Sequence, residues 1–74
     1  MSNGKRHTGE VLSFEFGWGF IDDYDTKESI FVHHSNIDAE GYRELFPMDK
    51  VSFIVGEGSN GRKQALNVLV LEEG

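Results

Sequence analysis

Two short segments hold most of the side chains with chemistry to offer. Phe14-Glu15-Phe16-Gly17-Trp18-Gly19-Phe20-Ile21 and Ile30-Phe31-Val32-His33-His34 contain four of the six phenylalanines, the one tryptophan and two of the three histidines. Exposed aromatic rings suit unpaired bases, each of which offers a π-face. Stacking contributes on the order of 1–3 kcal/mol per base with little sequence preference. Duplex DNA hides those faces, so such a surface favours single strands. A histidine can stack and also donate a hydrogen bond to a base edge or phosphate. Other chemistries find less support. The chain has no cysteine, which removes both disulfides and thiolate metal sites. His33 and His34 are consecutive, so in a strand they point to opposite faces, a poor geometry for joint metal binding. Asp22, Asp23 and Asp25 lack the glycine and distal glutamate of an EF-hand loop and read as a solvated turn. No nucleophile with a base partner is recognisable. The residues predict no enzyme, no cofactor and no metal.

What must position the rings is a set of short strands. β-rich runs separated by glycine or acidic turns fall at about Thr8 to Phe16, Trp18 to Asp23, Ser29 to His33, Lys50 to Val55 and Gln64 to Leu71. Ser35 to Met48 is a long polar connection with one helical turn expected between Asp38 and Leu45. Five short strands in 74 residues predict one all-β domain over residues 1–74. A closed five-stranded antiparallel Greek-key barrel, the OB-fold, leaves no edge exposed.

Alternation sorts the faces. Phe16, Trp18 and Phe20 share one side of the second strand, and Gly17, Gly19 and Ile21 the other. Two glycines and an isoleucine make an odd solvated face but suit the inside of a tightly bent strand. On the third strand Ile30 and Val32 suit the interior, which puts Phe31 and His33 outside beside Trp18 and Phe20. Two adjacent strands thus agree on an external aromatic patch, the kind of surface that marks a binding site. The plain alternative is that these rings are ordinary core.

These residues resemble the cold-shock domain family. Gly17-Trp18-Gly19-Phe20-Ile21 is similar to its first ribonucleoprotein-type motif, Lys-Gly-Phe-Gly-Phe-Ile, and Ile30-Phe31-Val32-His33-His34 to its second, Val-Phe-Val-His-Phe. Thr8-Gly9-Glu10-Val11, Ser35, Ile37, Val51-Ser52-Phe53-Ile54-Val55 and Gln64-Ala65-Leu66-Asn67-Val68 extend the likeness along nearly the whole chain. The resemblance implies an OB-fold that binds single-stranded RNA or DNA with low selectivity, as an RNA chaperone or a regulator of transcription or translation. It implies contacts through Phe14, Trp18, Phe20, Phe31, His33 and His34, with Gln64 and Ala65 at the edge. Phe16 joins this set by alternation and Lys63 as a nearby cation. The departures lie in the first strand, where Leu12-Ser13-Phe14-Glu15 stands for the family's Lys-Trp-Phe-Asn. A phosphate-pairing lysine and a stacking tryptophan are missing, and the link to the second strand is shorter by about two residues. Phe16 replaces a lysine and His34 a phenylalanine. Weaker or altered binding is expected.

The net charge of −6 argues against blanket attraction to phosphates. Lys5, Arg6, Lys27, Arg62 and Lys63 are the cations available to rim the patch, and Glu15 intrudes on it. A shallow salt dependence is expected, since each neutralised phosphate adds only about −0.7 to the slope. The start of the chain lacks the apolar stretch of a secretory signal. No run approaches the ~20 apolar residues of a membrane helix, so a cytoplasmic location without membrane contact is expected. A monomer is expected, with strand exchange through Ser35–Met48 as a route to a homodimer. The rival function is a degenerate barrel repurposed as a protein-interaction module.

Overall fold

The structure is a computed structural model and describes residues 5–38, 44–58 and 61–74. Its strands are β1 (Arg6–Glu15), β2 (Trp18–Asp23), β3 (Ser29–His33), β4 (Lys50–Glu57) and β5 (Lys63–Glu72), with a 3₁₀ turn at His34–Asn36 after β3. They close into a barrel in the order β1-β2-β3-β5-β4, and β4 pairs back onto β1. Neighbours run antiparallel except β3 and β5, which meet in parallel at Phe31↔Gln64. This is the expected OB-fold, and every expected strand end lies within two residues of the observed one. The helical turn expected from Asp38 to Leu45 falls largely outside the described residues.

The alternation on β2 and β3 sends Ile21, Ile30 and Val32 into the barrel. They meet Val11 and Phe14 of β1, Val51 and Phe53 of β4, and Ala65 and Val68 of β5, while Ile37 and Leu45 complete the core. Each of the valine, isoleucine, leucine and phenylalanine side chains among them contributes roughly 1.5–3 kcal/mol on burial. Phe53 is the largest fully buried side chain among the described residues.

β1 serves two neighbours. Arg6–Glu10 pair with β4, and Gly9–Glu15 pair with β2. Between Val11 and Ser13 the register against β2 slips, leaving Leu12 as an extra residue. The Val11 N–H donates instead to the Asp49 carbonyl at 2.9 Å, and its carbonyl accepts from Met48 N–H at 2.8 Å. Such a bulge bends its strand and strengthens the local twist, which takes β1 round the corner of the barrel. It also resets the alternation, so Val11 and Phe14 both point inward while Leu12 and Ser13 are exposed.

The β2–β3 turn is organised by Asp23, which is fully buried and fully bonded. Its Oδ1 accepts from the backbone N–H groups of Asp25 (2.8 Å) and Thr26 (3.4 Å), and its Oδ2 lies 2.9 Å from His7 Nδ1. The His7 ring in turn stacks on Phe53 at 5.9 Å. His7, Asp23 and Asp25 bring ligand-type atoms within 4.8 Å of one another. The hydrogen bonds already account for both Asp23 oxygens, so the cluster reads as a turn anchor. Lys27 closes the turn with φ of 63° and is exposed. A left-handed residue with a Cβ costs roughly 1–2 kcal/mol, and glycine's extra chain entropy gives back about half of that. Lys27→Gly is therefore expected to raise the melting temperature by about 2–8 °C. A fall in a thermal melt would show that the lysine side chain compensates for its own strain.

Candidate nucleic-acid interface

Cross-strand pairing builds the aromatic surface. Phe20 lies directly opposite Phe31, and Trp18 opposite His33, so all four side chains share the outer face of β2 and β3. The three rings form a triangle. Trp18–Phe20, Trp18–Phe31 and Phe20–Phe31 each have centroids 6.0 Å apart, at interplanar angles of 84°, 32° and 71°. Edge-on and tilted pairs of this kind are worth about 0.5–1.5 kcal/mol beyond area burial. Trp18 is 45% exposed, and Phe20 and Phe31 are half-buried against each other. The rings are therefore not core, and they hold one another in place.

Gly19 makes this face possible from behind. It is buried opposite Phe14, and a Cβ there would collide with the Ser13 carbonyl oxygen. The strand can press against β1 only without a side chain.

The two histidines sit where β3 ends. His34 begins the 3₁₀ turn, and its N–H donates to the Gly17 carbonyl at 2.8 Å. The turn swings the His34 ring onto His33, with centroids 4.4 Å apart and planes 34° apart. Strand alternation predicts opposite faces for the pair, and the end of the strand at His33 is what brings them together. The Ser35 N–H donates to His33 Nδ1 at 3.3 Å, with Ser35 Oγ 2.8 Å from the same nitrogen. Nδ1 is thereby an acceptor, and the neutral ring carries its hydrogen on Nε2, where a ligand can use it. Ser35 as the anchor of His33 is a role the sequence reading missed, although the His-x-Ser spacing is visible in it.

Charge reaches the patch from the start of β5 and the residue before it. The Arg62 guanidinium carbon lies 5.2 Å from the Phe31 ring centroid, a cation–π distance. Lys63 Nζ meets Glu28 Oε1 at 2.9 Å with both side chains about half exposed. Such surface pairs are worth about 0–1 kcal/mol, so a phosphate can compete for the lysine. Gln64 is half-buried beside Phe31.

Several expected members stand elsewhere. Phe14 is buried at 8% exposure in the core, because the bulge at Leu12 shifts the inward face of β1 onto it. Ala65 is fully buried in the core as well. Ser13 and Glu15 occupy the outer face instead, opposite Phe20 and Trp18. Arg6 belongs to a different region, where its guanidinium donates to Ser52 Oγ and O and to Asn67 Oδ1 and O at 2.5–3.0 Å. It ties β1 to β4 and β5.

Phe16 does not continue the β2 alternation. Glu15 pairs with Trp18, so Phe16 and Gly17 are the whole of a two-residue hairpin loop. Both take positive φ, 57° and 86°, as the central residues of a type I′ turn do. Phe16 is 94% exposed there. The left-handed conformation costs a residue with a Cβ roughly 1–2 kcal/mol. Gly17 also faces the His34 ring, 3.0 Å from where a Cβ would stand.

A closed five-stranded barrel carrying exposed rings on two adjacent strands defines an OB-fold protein with a stacking surface. The family model described as the 'Cold-shock' DNA-binding domain matches residues 7–71, and the chain belongs to that family. Cold shock-like protein CspB of Escherichia coli (strain K12) is 39% identical over 74 residues, covering 97% of this chain and 100% of its own length. Cold shock protein 1 of Arabidopsis thaliana is 45% identical over 65 residues, covering 85% of this chain. The chain spans 22–35% of the length of the plant relatives it matches. Among solved structures, drosophila Unr CSD456 superposes with a TM-score of 0.77 at 30% identity, covering 90% of this chain and 27% of that one.

Proposed function

We propose that this chain binds single-stranded RNA or DNA by stacking bases on Trp18, Phe20 and Phe31. His33, His34 and Gln64 supply hydrogen bonds at the rim, and Arg62 and Lys63 supply charge. The observation that carries this reading is the triangle of outward-facing rings, 6.0 Å apart, on adjacent strands. Bases bound there are unavailable for pairing, so the chain acts as an RNA chaperone or as a regulator of transcription or translation, without catalysis of its own. It works in the cytoplasm as a single monomeric domain. Among the described residues no helix is long and apolar enough to cross a membrane. The family to which the chain belongs favours nucleic acid over a protein partner for this surface.

Trp18 is the only tryptophan, so its fluorescence reports on the site directly. Adding oligo-dT or an unstructured RNA at low salt is expected to quench it, and a duplex of the same length much less. No quenching at micromolar protein would overturn the reading. The salt dependence is expected to be shallow. With Arg62 and Lys63 as the phosphate partners, the slope of log K against log salt is about −1.4. A slope several-fold steeper would mean that affinity comes from a wider field of cations than these two.

A further inference from the structure

Phe16 stands outside the triangle of Trp18, Phe20 and Phe31. A bulky aromatic at positive φ on a solvent-exposed turn opposes both backbone preference and burial. Asn-Gly or Gly-Gly would satisfy the same turn without either conflict. Strain of this kind persists where a site uses it. The position is specific: the loop joins Glu15 to Trp18, and His34 packs on Gly17, so Phe16 stands just past the end of the ring platform. A strand laid along β2 over Phe20 and then Trp18 would meet this tip next.

The charges near the tip restrict what can meet the ring. Glu15 lies beside it, opposite Trp18, and the chain as a whole carries −6. Phosphates are repelled there, and the two backbones of a duplex laid side-on are repelled most. A duplex offers one uncharged aromatic face, the terminal base pair. A ring raised off the edge of the sheet can reach that face end-on.

We propose that Phe16 caps the terminal base pair where a bound single strand enters a duplex, so that the preferred ligand is a single strand abutting a stem. The inference deepens the single-strand reading and rests on it.

The test compares free oligo-dT with the same oligo-dT attached to the 5′ or the 3′ side of a GC-rich hairpin stem, plus the stem alone. Trp18 fluorescence reads binding in each case. The wild type is expected to bind one of the two tailed stems about fivefold or more tighter than free oligo-dT, the gain of one added stack. Phe16→Asn supplies the favoured Asn-Gly turn, so it is expected to melt no lower than the wild type. It should bind free oligo-dT within about twofold of the wild type and show no preference for the tailed stem. Phe16→Tyr should keep the preference. Equal preference in wild type and Phe16→Asn overturns the cap, as does its absence from the wild type. An equal loss on free and tailed ligands also overturns it, since Phe16 is then an ordinary stacking contact. Self-association in sedimentation that disappears with Phe16→Asn assigns the ring to a protein contact instead. Failure of the wild type to bind oligo-dT at all rejects the single-strand reading itself, and that outcome is distinct from the others.

Discussion

Phe31→Ala is expected to weaken oligo-dT binding by about 10- to 100-fold while the barrel stays folded. Phe31 is the hub of the surface. Its ring touches both other members of the triangle and carries the Arg62 guanidinium 5.2 Å from its centroid. Truncation removes one stacking partner outright. It also lets Trp18 and Phe20 relax from their tilted packing and takes away the ring that faces the Arg62 guanidinium. The fold itself should survive the truncation. The ring lies outside the core, where Ile30 and Val32 of the same strand are buried. What it loses is two ring–ring contacts of about 0.5–1.5 kcal/mol each. Because Trp18 is both neighbour and reporter, the affinity must be taken from the midpoint of the titration and not from its amplitude. A thermal melt run alongside separates the two roles. An unchanged midpoint would remove Phe31 from the site, and loss of the cooperative melt would make it a structural residue.

The architecture was largely legible in the residues. Alternation on β2 and β3 depends only on each strand's own run, and it placed Ile21, Ile30 and Val32 inside and Trp18, Phe20, Phe31 and His33 outside. Phe14, expected in the patch from the family resemblance alone, lies in the core, because a period of two on β1 holds only while the ladder is unbroken. The bulge at Leu12 is a tertiary feature, made where Val11 bonds to the Met48–Asp49 turn from a distant part of the chain. It turned Phe14 inward and brought Ser13 and Glu15 out. Phe16 failed for a related reason, since the pairing of Glu15 with Trp18 leaves it in the loop and not on a strand. The partners of Arg6 and Arg62 are equally hidden from local pattern. Ser52 and Asn67 are 46 and 61 residues from Arg6, so only barrel closure brings them within reach.

Ser13→Trp is expected to tighten single-strand binding by about tenfold, the opposite result from truncating Phe31. Ser13 is exposed, lies directly across from Phe20, and occupies the position where the family pattern has tryptophan. A large ring there extends the triangle onto a third strand and offers one more base a face, worth on the order of 1–3 kcal/mol. Because the site is open, the ring displaces no core side chain. Glu15 works against the same end of the surface, and Glu15→Asn added to Ser13→Trp should tighten binding further and most visibly at low salt, where repulsion of the phosphates is least screened. The two changes lie on one face, so their effects need not add, and a double-mutant cycle measures the coupling. Fluorescence anisotropy of a labelled oligo-dT is the suitable readout, since the new tryptophan would confuse intrinsic fluorescence. A Ser13→Trp protein that melts normally and binds no tighter would mean that the ligand's path ends at Phe20 and never crosses onto β1. In that case the absence of the family's first-strand tryptophan has no bearing on affinity in this chain.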